Sequence, residues 1–583
     1  MEIKLLLVLF AFAGSALSQR ISCDYELRTI NGQQHYTCYM NIDNPTGWNN
    51  FTQVEGFHFP GLNNVFVTAI IRNTANSSTT NIPEIICSQF PHVTYIDYSY
   101  LDLQEISENA FRGCRNLDWL RLYNNRISQF PENLFFYNRH LRYLDLEGNA
   151  LTTLPENIFV SQLALETLDL SRNPITTFPN GVFRNLFNLR DLYLRAANLP
   201  TLNTRWFQNL FNLLDLDLSF NQNLTSVPDD AFYNLISLET LYLARTSLRT
   251  FNHRWFENSK HIRHLFMYGN QLTTIPSQAL VNSPELLTVD FGNNLIQDIS
   301  PNAFDNLANL AILSLERNAI SRIHTQWFMD KPDLEAVYLD FNSIPAIPVG
   351  TFAEANNLRD LGLWNNRIRT INRNSFGNLN NLRTLDLDGN GINSVDERFL
   401  RELTNLFYFY FSDNGCANNM FFDFGGDLEN NIREFSTCIT NFGFTSERTT
   451  EAGSGYIFTR GYHPGMHVEI NSATEVRIAL TPFDVVWNPM LEIVFSRETI
   501  RIVRNQVTDV AVVPNIRTFL PAAGNRFRIS WFRQVVSVFD GNDEFPFIAY
   551  TMEDWVPINF MGLRSERSQG FWFLEPIEIP QAN

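Results

Sequence analysis

Hydrophobic and polar positions follow one pattern that recurs through the middle of the chain. In Leu144-Asp-Leu146-Glu-Gly-Asn149, two leucines separated by one polar residue precede an asparagine. The asparagine position recurs every 24 residues, except for one step of 25 between Asn221 and Thr246. A fixed period of this length predicts a solenoid of stacked turns. The fourteen positions, beginning with a degenerate first turn, are 101, 125, 149, 173, 197, 221, 246, 270, 294, 318, 342, 366, 390 and 414.

Each position of the repeat has a predicted structural role. The Leu-x-Leu pair points inward from a short strand, and the residues between and beside the leucines face outward. The asparagine is expected to bond backbone groups where the chain leaves the strand. Ten residues after it comes a phenylalanine, which we expect to stack from turn to turn as buried core and not as a ligand site. These phenylalanines are Phe111, Phe135, Phe159, Phe183, Phe207, Phe256, Phe304, Phe328, Phe352 and Phe376.

The repeat resembles the typical extracellular leucine-rich repeat, L-x-x-L-x-L-x-x-N-x-L-x-x-L-P-x-x-x-F-x-x-L, over residues 95–415. This resemblance implies an α/β-type solenoid with a parallel β concave face and a mostly irregular convex side. Because a solenoid cannot end with its core exposed, residues 19–94 and 416–444 are predicted as its caps. The similarity to secreted immune-type repeat proteins of arthropods implies protein recognition, in innate immunity.

After the second cap the repeat stops, and short runs typical of β-strands follow. The segment 445–455, rich in threonine, serine and glycine, is predicted as a linker. Residues 456–583 then carry many short apolar runs, separated by turn residues and without a helical period. This pattern predicts an all-β sandwich domain.

The order of these runs resembles the arthropod farnesoic acid O-methyltransferase-type domain, from about residue 456 to 576. The resemblance implies an alternative function, as an extracellular enzyme or a binding protein for a small sesquiterpenoid-like ligand. The nearest match to an S-adenosylmethionine loop, Glu451-Ala-Gly453-Ser-Gly455, lacks a third glycine and precedes no predicted helix. We therefore predict no cofactor and no catalytic residue, and leave enzymatic activity open. The runs that carry the resemblance are Val-Arg-Ile-Ala-Leu-Thr, Leu-Glu-Ile-Val, Thr-Ile-Arg-Ile-Val-Arg, Phe-Arg-Ile-Ser-Trp-Phe, Pro-Phe-Ile-Ala-Tyr and Gly-Phe-Trp-Phe.

The N-terminus has the layout of a secretory signal peptide. A charged start precedes the apolar run 5–13, and Ala16-Leu-Ser18 fits a cleavage site. The run is shorter than the roughly 18 residues that a membrane span needs. We predict a signal peptide at 1–18, a secreted, extracellular protein and no membrane span.

The six cysteines agree with an oxidising compartment. Six cysteines allow 15 pairings, but their clustering at the two ends of the repeat favours local pairs. No C-x-x-C spacing is present, so a metal site is disfavoured. The predicted disulfides are Cys23–Cys38, Cys87–Cys114 and Cys416–Cys438, and the predicted glycosylation sites are Asn50, Asn76 and Asn223.

Charge is distributed unevenly. The chain has 43 basic and 61 acidic side chains, a net charge of −18, which argues against a nucleic-acid partner. The concave face consists of the residues two, four and six positions before each asparagine position. It carries 13 acidic residues against two arginines, Arg121 and Arg195, with aromatic side chains between them.

Acids interleaved with exposed aromatics predict a recognition surface for a basic protein or peptide. The alternatives are a solvated face that maintains solubility and a Ca²⁺ site between paired acids such as Asp145 and Asp169. We leave the oligomeric state open. The candidate binding residues are Asp145, Asp169, Asp217, Tyr242, Phe266, Tyr268, Tyr338 and Trp364.

Overall fold

A computed structural model describes residues 86–442 except 349 and 378, together with the hairpin at 20–43, short segments between 54 and 84, and twelve strands between 448 and 576. The chain divides into two compact units. The first comprises residues 1–296 and 303–310, and the second comprises 297–302 and 311–583. The predicted signal peptide lies outside the described residues, and so do Asn50 and Asn76.

The first unit begins with a β-hairpin whose two long strands are antiparallel. Its turn is Asn31-Gly32, and both residues have positive φ, as a two-residue hairpin loop requires. The second strand of the hairpin also pairs in parallel with the fourth strand, which pairs with the first strand of the repeats. The hairpin therefore continues the parallel sheet. The elements are β1 Arg20–Ile30, β2 Gln33–Asp43, β3 Val54–Gly56, β4 Ala69–Arg72 and α1 Ile86–Gln89.

The repeat turns of the first unit each contribute one three-residue strand. Neighbouring strands are parallel and aligned at the same repeat position, so that Leu144 lies opposite Leu168. Both leucines are fully buried, which confirms the inward placement of the Leu-x-Leu pair. The strands are β5 Tyr95–Asp97, β6 Trp119–Arg121, β7 Tyr143–Asp145, β8 Thr167–Asp169, β9 Asp191–Tyr193, β10 Asp215–Asp217, β11 Thr240–Tyr242, β12 His264–Phe266, the two-residue β13 Thr274–Ile275, and β14 Thr288–Asp290.

The repeated asparagine joins each turn to its neighbours. Asn149 is buried, and its Nδ2 donates to the carbonyl of Leu122 in the preceding turn at 2.9 Å and to that of Leu146 at 3.0 Å. Its Oδ1 accepts from the backbone N–H of Ile127 at 3.1 Å. One side chain thus satisfies three buried backbone groups that the short strand leaves without partners.

The predicted phenylalanine column is core. In the first unit Phe111, Phe135, Phe159 and Phe183 are fully buried, and successive ring centroids lie 6.1, 6.4 and 6.4 Å apart. The column also contains Phe232, which the ten-residue spacing missed because an extra residue follows Asn221 in that turn. Short 3-10 helices accompany the column at Thr204–Phe207 and His253–Phe256 in the first unit, and at Thr325–Phe328 and Arg373–Ser375 in the second.

The second unit repeats this architecture. Its three-residue strands are again parallel and aligned, with Leu361 opposite Leu385. Its phenylalanine column runs through Phe328, Phe352 and Phe376 and ends at Phe399. The elements are β15 Asp298–Ile299, β16 Ile312–Ser314, β17 Ala336–Tyr338, β18 Asp360–Gly362, β19 Thr370–Ile371, β20 Thr384–Asp386, β21 Ser394–Val395, α2 Glu397–Glu402 and β22 Tyr408–Phe411.

An antiparallel strand closes the repeats of the second unit. β23, Asn419–Phe422, pairs with β22, and the helices α3, Leu428–Arg433, and α4, Ser436–Phe442, follow it. Phe421, Phe424 and Phe435 pack around Phe409 at ring-centroid distances of 6.0, 5.0 and 5.6 Å. The three disulfides are those that the cysteine clustering favours, Cys23–Cys38, Cys87–Cys114 and Cys416–Cys438.

The remainder of the second unit contains two six-stranded sheets with antiparallel pairing. Strand β24 lies inside the segment predicted as a linker. The pairings define two sheets but not how their faces pack, so the sandwich stays a prediction. No helix among the described residues is long and apolar enough to cross a membrane. The strands are β24 Arg448–Thr450, β25 Ile457–Arg460, β26 Gly465–Asn471, β27 Val476–Thr481, β28 Leu491–Phe495, β29 Thr499–Arg504, β30 Thr508–Pro514, β31 Asn525–Phe532, β32 Val535–Asp540, β33 Ile548–Thr551, β34 Phe560–Ser565 and β35 Gly570–Pro576.

Candidate functional site

Many acids of the concave face have a structural task. At the middle outward position of a turn, the aspartate Oδ1 accepts a hydrogen bond from the backbone N–H two residues further on. Asp169 bonds the N–H of Ser171 at 2.8 Å, and Asp217 bonds that of Ser219 at 2.7 Å. A short carboxylate can hold the chain in this way where it leaves a strand. The same bond is made by Asp97, Asp145, Asp290 and Asp386.

The first concave turns form an ion-paired cluster. The Arg121 guanidinium lies between Asp97 and Asp145, with Nη1 3.4 Å from Asp97 Oδ2 and Nε 3.3 Å from Asp145 Oδ2. Beside it, the rings of Trp119 and Tyr143 stack with centroids 3.7 Å apart. Asp145 is buried beneath these groups, and burial raises the pKa of its carboxyl group although Arg121 favours the charged form. Asp145 therefore stabilises the turn and presents little surface to a partner.

Asp145, Glu147 and Asp169 are the acids that come closest to a cation site. Their carboxylate oxygens lie within 4.8 Å of one another. Asp145 is already paired with Arg121, and Glu147 lies 3.2 Å from Arg172 Nε. Burial, with the charges of Asp145 and Glu147, raises the pKa of Asp169 to about 6. These arginines supply the positive charge that a calcium ion would bring, so the cluster does not support the calcium alternative.

A concavity of about 680 Å³ opens on the concave face further along the first unit. Tyr242 and Phe266 form one wall, with parallel rings whose centroids are 4.9 Å apart. Tyr193 forms another wall, and burial together with the nearby carboxylates raises the pKa of its phenol, which therefore remains a hydrogen-bond donor. The acids Asp215, Asp217 and Asp290 complete the lining.

Two arginines border this concavity and lie over aromatic rings. The guanidinium carbon of Arg195 is 4.4 Å from the ring centroid of Phe220, and that of Arg245 is 5.4 Å from the same ring and 5.8 Å from Tyr268. Phe220 and Arg245 each precede an asparagine position and have positive φ, at 62° and 53°. This left-handed conformation is uncommon for large side chains. It brings both of them to the rim of the concavity.

The second unit carries an aromatic patch just after the ends of its strands. The rings of Phe341 and Trp364 meet edge to face at 4.3 Å, and Arg317 lies 4.1 Å from the centroid of Phe341. Beneath them Asp340 is buried, and its Oδ1 accepts from the backbone N–H of Trp364 at 2.8 Å. Residue 362 is glycine, and a Cβ there would lie 2.3 Å from Asp340 Oδ2.

The eight predicted binding residues fall into three groups. Asp145 and Asp169 lie together with Glu147 in the first turns, and Tyr338 and Trp364 lie in the second unit. The concavity brings together the other four, Asp217, Tyr242, Phe266 and Tyr268. Phe220 and Arg245 were not predicted, because they lie one position before the asparagine. A large residue at that position was the signal available in the sequence.

The family comparison bears directly on this architecture. The sequence profile described as leucine rich repeat matches ten overlapping segments that together span residues 91–415, more than half of the chain. The chain belongs to the leucine-rich-repeat family. A second profile, described as farnesoic acid O-methyl transferase, matches residues 449–577 of this leucine-rich-repeat protein. Both resemblances drawn from the sequence are thereby confirmed.

Solved structures with a similar fold are leucine-rich-repeat proteins. A repeat protein of Leptospira interrogans is 21% identical with a TM-score of 0.55, over 64% of this chain and 89% of that one. A chain of the Toll–Spatzle complex of Drosophila is also 21% identical with a TM-score of 0.56, over 65% of this chain and 49% of that one. A chain of the LRIM1/APL1C complex is 22% identical with a TM-score of 0.51, over 67% and 68%. No curated protein sequence matches the chain.

Proposed function

We propose that this leucine-rich-repeat protein is a secreted recognition protein that binds a basic protein or peptide in the concavity of its first unit. The stacked pair Tyr242–Phe266, half-exposed on the concave face, is the observation that carries the proposal. The column side chains of the same two turns, Phe256 and Leu280, are buried, whereas this pair is not. Apolar rings left partly in water are stabilised when a partner covers them.

The acids beside these rings favour a cationic ligand. Asp215, Asp217 and Asp290 line the concavity, and an ionised carboxylate can accept several hydrogen bonds from arginine or lysine. The guanidinium groups of the two rim arginines, Arg195 and Arg245, lie against aromatic rings. The three acids line the concavity that a ligand would enter. A ligand with basic and aromatic or aliphatic side chains would complement both the carboxylates and the rings.

The proposal of secretion rests on the signal-like N-terminus and on the three disulfides, which persist in oxidising compartments. An immune role is a further step. The structural neighbours named above include Toll bound to Spatzle and the LRIM1/APL1C complex, and the Toll structure is described as a hub in development and innate immunity. At these identities the likeness shows the fold, so we propose immune recognition by analogy.

Immobilised libraries of basic, neutral and acidic peptides, probed with the full chain at low salt, test the concavity. We expect basic peptides to be retained and retention to fall as salt rises. Tyr242→Ala and Phe266→Ala should each weaken binding about tenfold or more. Tyr233→Ala is the matched control, since that tyrosine is exposed on the convex side. Equal loss in the control, or retention that ignores peptide charge, would contradict the proposal.

The C-terminal region is proposed as a binding module of this protein. Its family name implies methyl transfer, but its described residues form antiparallel strands and include no strand, glycine-rich loop and helix in succession, the usual seat of S-adenosylmethionine. These residues do not fit that cofactor, so no transfer step is derived. Calorimetry with S-adenosylmethionine tests this, and stoichiometric micromolar binding would favour the enzyme alternative instead.

A further inference from the structure

A row of exposed apolar side chains lies on one flank of the first unit, away from the concavity. Leu163, Phe187, Phe211 and Ile236 are 52%, 45%, 42% and 47% exposed. They occupy the same repeat position in four consecutive turns, fourteen residues after the asparagine position, or fifteen in the turn with the extra residue. We call these four residues the flank stripe. Single exposed apolar residues are ordinary, whereas four at one repeat position in adjacent turns form a row that needs an explanation.

The backbone of the flank stripe is fixed by side chains of the following turn. Asn188 Nδ2 donates to the carbonyl of Leu163 at 2.8 Å, and Asn212 Nδ2 donates to that of Phe187 at 2.7 Å. These bonds hold the apolar side chains at regular spacing on the surface. A surface ordered before binding loses less conformational entropy when a partner covers it.

Charged residues accompany the flank stripe in a particular order. The residue just before each strand is Glu166, Arg190, Leu214, Glu239 and Arg263 in five consecutive turns. One turn from Leu214, Arg190 on one side corresponds to Glu239 on the other. Two turns from Leu214, Glu166 corresponds to Arg263. Glu166, Arg190 and Leu214 also line a shallow groove of about 560 Å³ beside the stripe.

This order is complementary to itself when reversed. We propose that the flank stripe is the interface for a second copy of this chain, related by a two-fold axis near Leu214 and Phe211. The axis places Arg190 opposite Glu239 of the second copy and Glu166 opposite its Arg263. It also places Phe211 opposite Phe211 and Phe187 opposite Ile236, while Leu163 lies opposite the exposed Lys260. A two-fold interface requires this kind of self-complementary surface.

Among the described residues of a single copy of the chain, Arg190 is the one of these four charged residues that is left for a partner. Glu239 already pairs with Arg263 at 3.2 Å, and Glu166 lies 3.9 Å from Arg142. Arg190 is exposed and forms no ion pair within the described part of the chain. Dimer formation would give Arg190 a carboxylate partner at the edge of an apolar patch, where charge pairing sets register and partner choice.

The two-fold axis limits which turns of the two copies can face each other. The strand-start row from Glu166 to Arg263, symmetric about Leu214, spans five turns, or about 19 Å at the usual strand spacing. A standard interface of about 800 Å² on each partner covers a disc about 32 Å across, so we expect this smaller surface to give a dimer of modest affinity. The predicted glycosylation site in the repeats, Asn223, follows the asparagine position at 221, beyond the C-terminal end of β10, and therefore lies at the opposite edge of the sheet. A glycan there would leave the flank stripe uncovered.

Sedimentation equilibrium of the full chain, with two complementary charge variants, tests the proposal. Wild-type protein should dimerise at micromolar concentration. Arg190→Glu places glutamate opposite Glu239, and Glu239→Arg places arginine opposite Arg190, so each variant alone should raise the dimer dissociation constant about tenfold or more. An equimolar mixture of the two variants restores both opposite pairs and should form a heterodimer.

Phe211→Asp tests the apolar part of the interface and should also give a monomer. Leu295→Asp is its control, because Leu295 is exposed just after an asparagine position, at the opposite edge. Circular dichroism of each variant shows whether it is folded. A wild-type chain that is monomeric at 100-fold higher concentration would overturn the proposal. A dimer insensitive to both charge variants, or one that the mixture fails to restore, would equally place the interface elsewhere.

Discussion

The first unit carries two series of aromatic side chains, and they differ in what surrounds them. On the convex side Phe135, Phe159 and Phe183 are each enclosed by the turns before and after. On the concave face Tyr242 and Phe266 touch each other across neighbouring strands, and one side of the pair remains open. Both series arise from the same repetition. The convex series is enclosed core, and the concave series is the one that we propose for binding.

The acids of the same face divide in a similar way. Asp145 lies buried against Arg121, and Asp169 bonds the backbone and is largely covered. Asp217 makes the same backbone bond but also lines the concavity. The negative charge of the concave face is therefore partly structural, and the recognition role that we propose for it falls in the turns between residues 193 and 290.

The comparison of the two aromatic series predicts its largest effect for Phe159→Ala. The substitution leaves a cavity between Phe135 and Phe183, which the rigid turns cannot close, and we expect the free energy of unfolding to fall by about 3–5 kcal/mol. Urea denaturation measures it. Phe187→Ala, at an exposed position on the flank of the same repeat turns, should cost under about 1 kcal/mol. Equal losses would mean that the column is not the main source of stability.

The repeat made much of this fold predictable. Strand positions, the inward leucines and the phenylalanine column follow from a period of 24 residues, and the cysteine clustering indicates the disulfides. Phe232 escaped because the extra residue after Asn221 moves it by one position. A rule based on fixed spacing fails wherever a turn is longer, although the shifted asparagine position gave the necessary signal.

The site was harder to predict than the fold, because exposure depends on neighbouring turns. Asp145 occupies an outward position, yet it is covered by Arg121 from the preceding turn and by Tyr143 from its own turn. Phe220 reaches the rim of the concavity through a left-handed backbone conformation that spacing does not reveal. The flank stripe is present in the sequence as an apolar residue fourteen or fifteen positions after each of four successive asparagine positions. The standard repeat pattern assigns no role to this position, so its exposure was not predicted.

An intermediate effect is expected for Asp169→Asn, which separates the structural acids from the binding ones. Burial raises the pKa of Asp169 to about 6. Between about pH 4 and pH 6, the folded protein therefore keeps a proton on this carboxyl group that the unfolded chain has lost. The stability it contributes is present below about pH 4 and is lost as pH rises through about 6. Asparagine keeps the oxygen that accepts from Ser171 but cannot ionise. The variant should therefore exceed wild type by about 3 kcal/mol at pH 7.5.

Urea denaturation at two pH values checks this expectation. The advantage of Asp169→Asn should shrink toward zero at pH 4, where the wild-type carboxyl group is protonated in the folded protein. A variant that is less stable at pH 7.5 would show that the charged carboxylate supports the turn. An advantage of equal size at both pH values would mean that ionisation of Asp169 is not its cause.

The smallest effect on stability, and the one that most sharpens the comparison, is expected for Tyr242→Ala. Among the described residues the ring stacks on Phe266, and the pair borders the open concavity. Its loss removes one aromatic pair, worth about 0.5–1.5 kcal/mol, and creates no enclosed cavity. Thermal unfolding should therefore change far less than for Phe159→Ala, while retention of basic peptides falls. If Tyr242→Ala destabilises the chain as much as Phe159→Ala does, the concave aromatics are core like the convex ones. A small change in stability together with a large change in binding is the result that a recognition surface requires, because its energy is released only when a partner covers it.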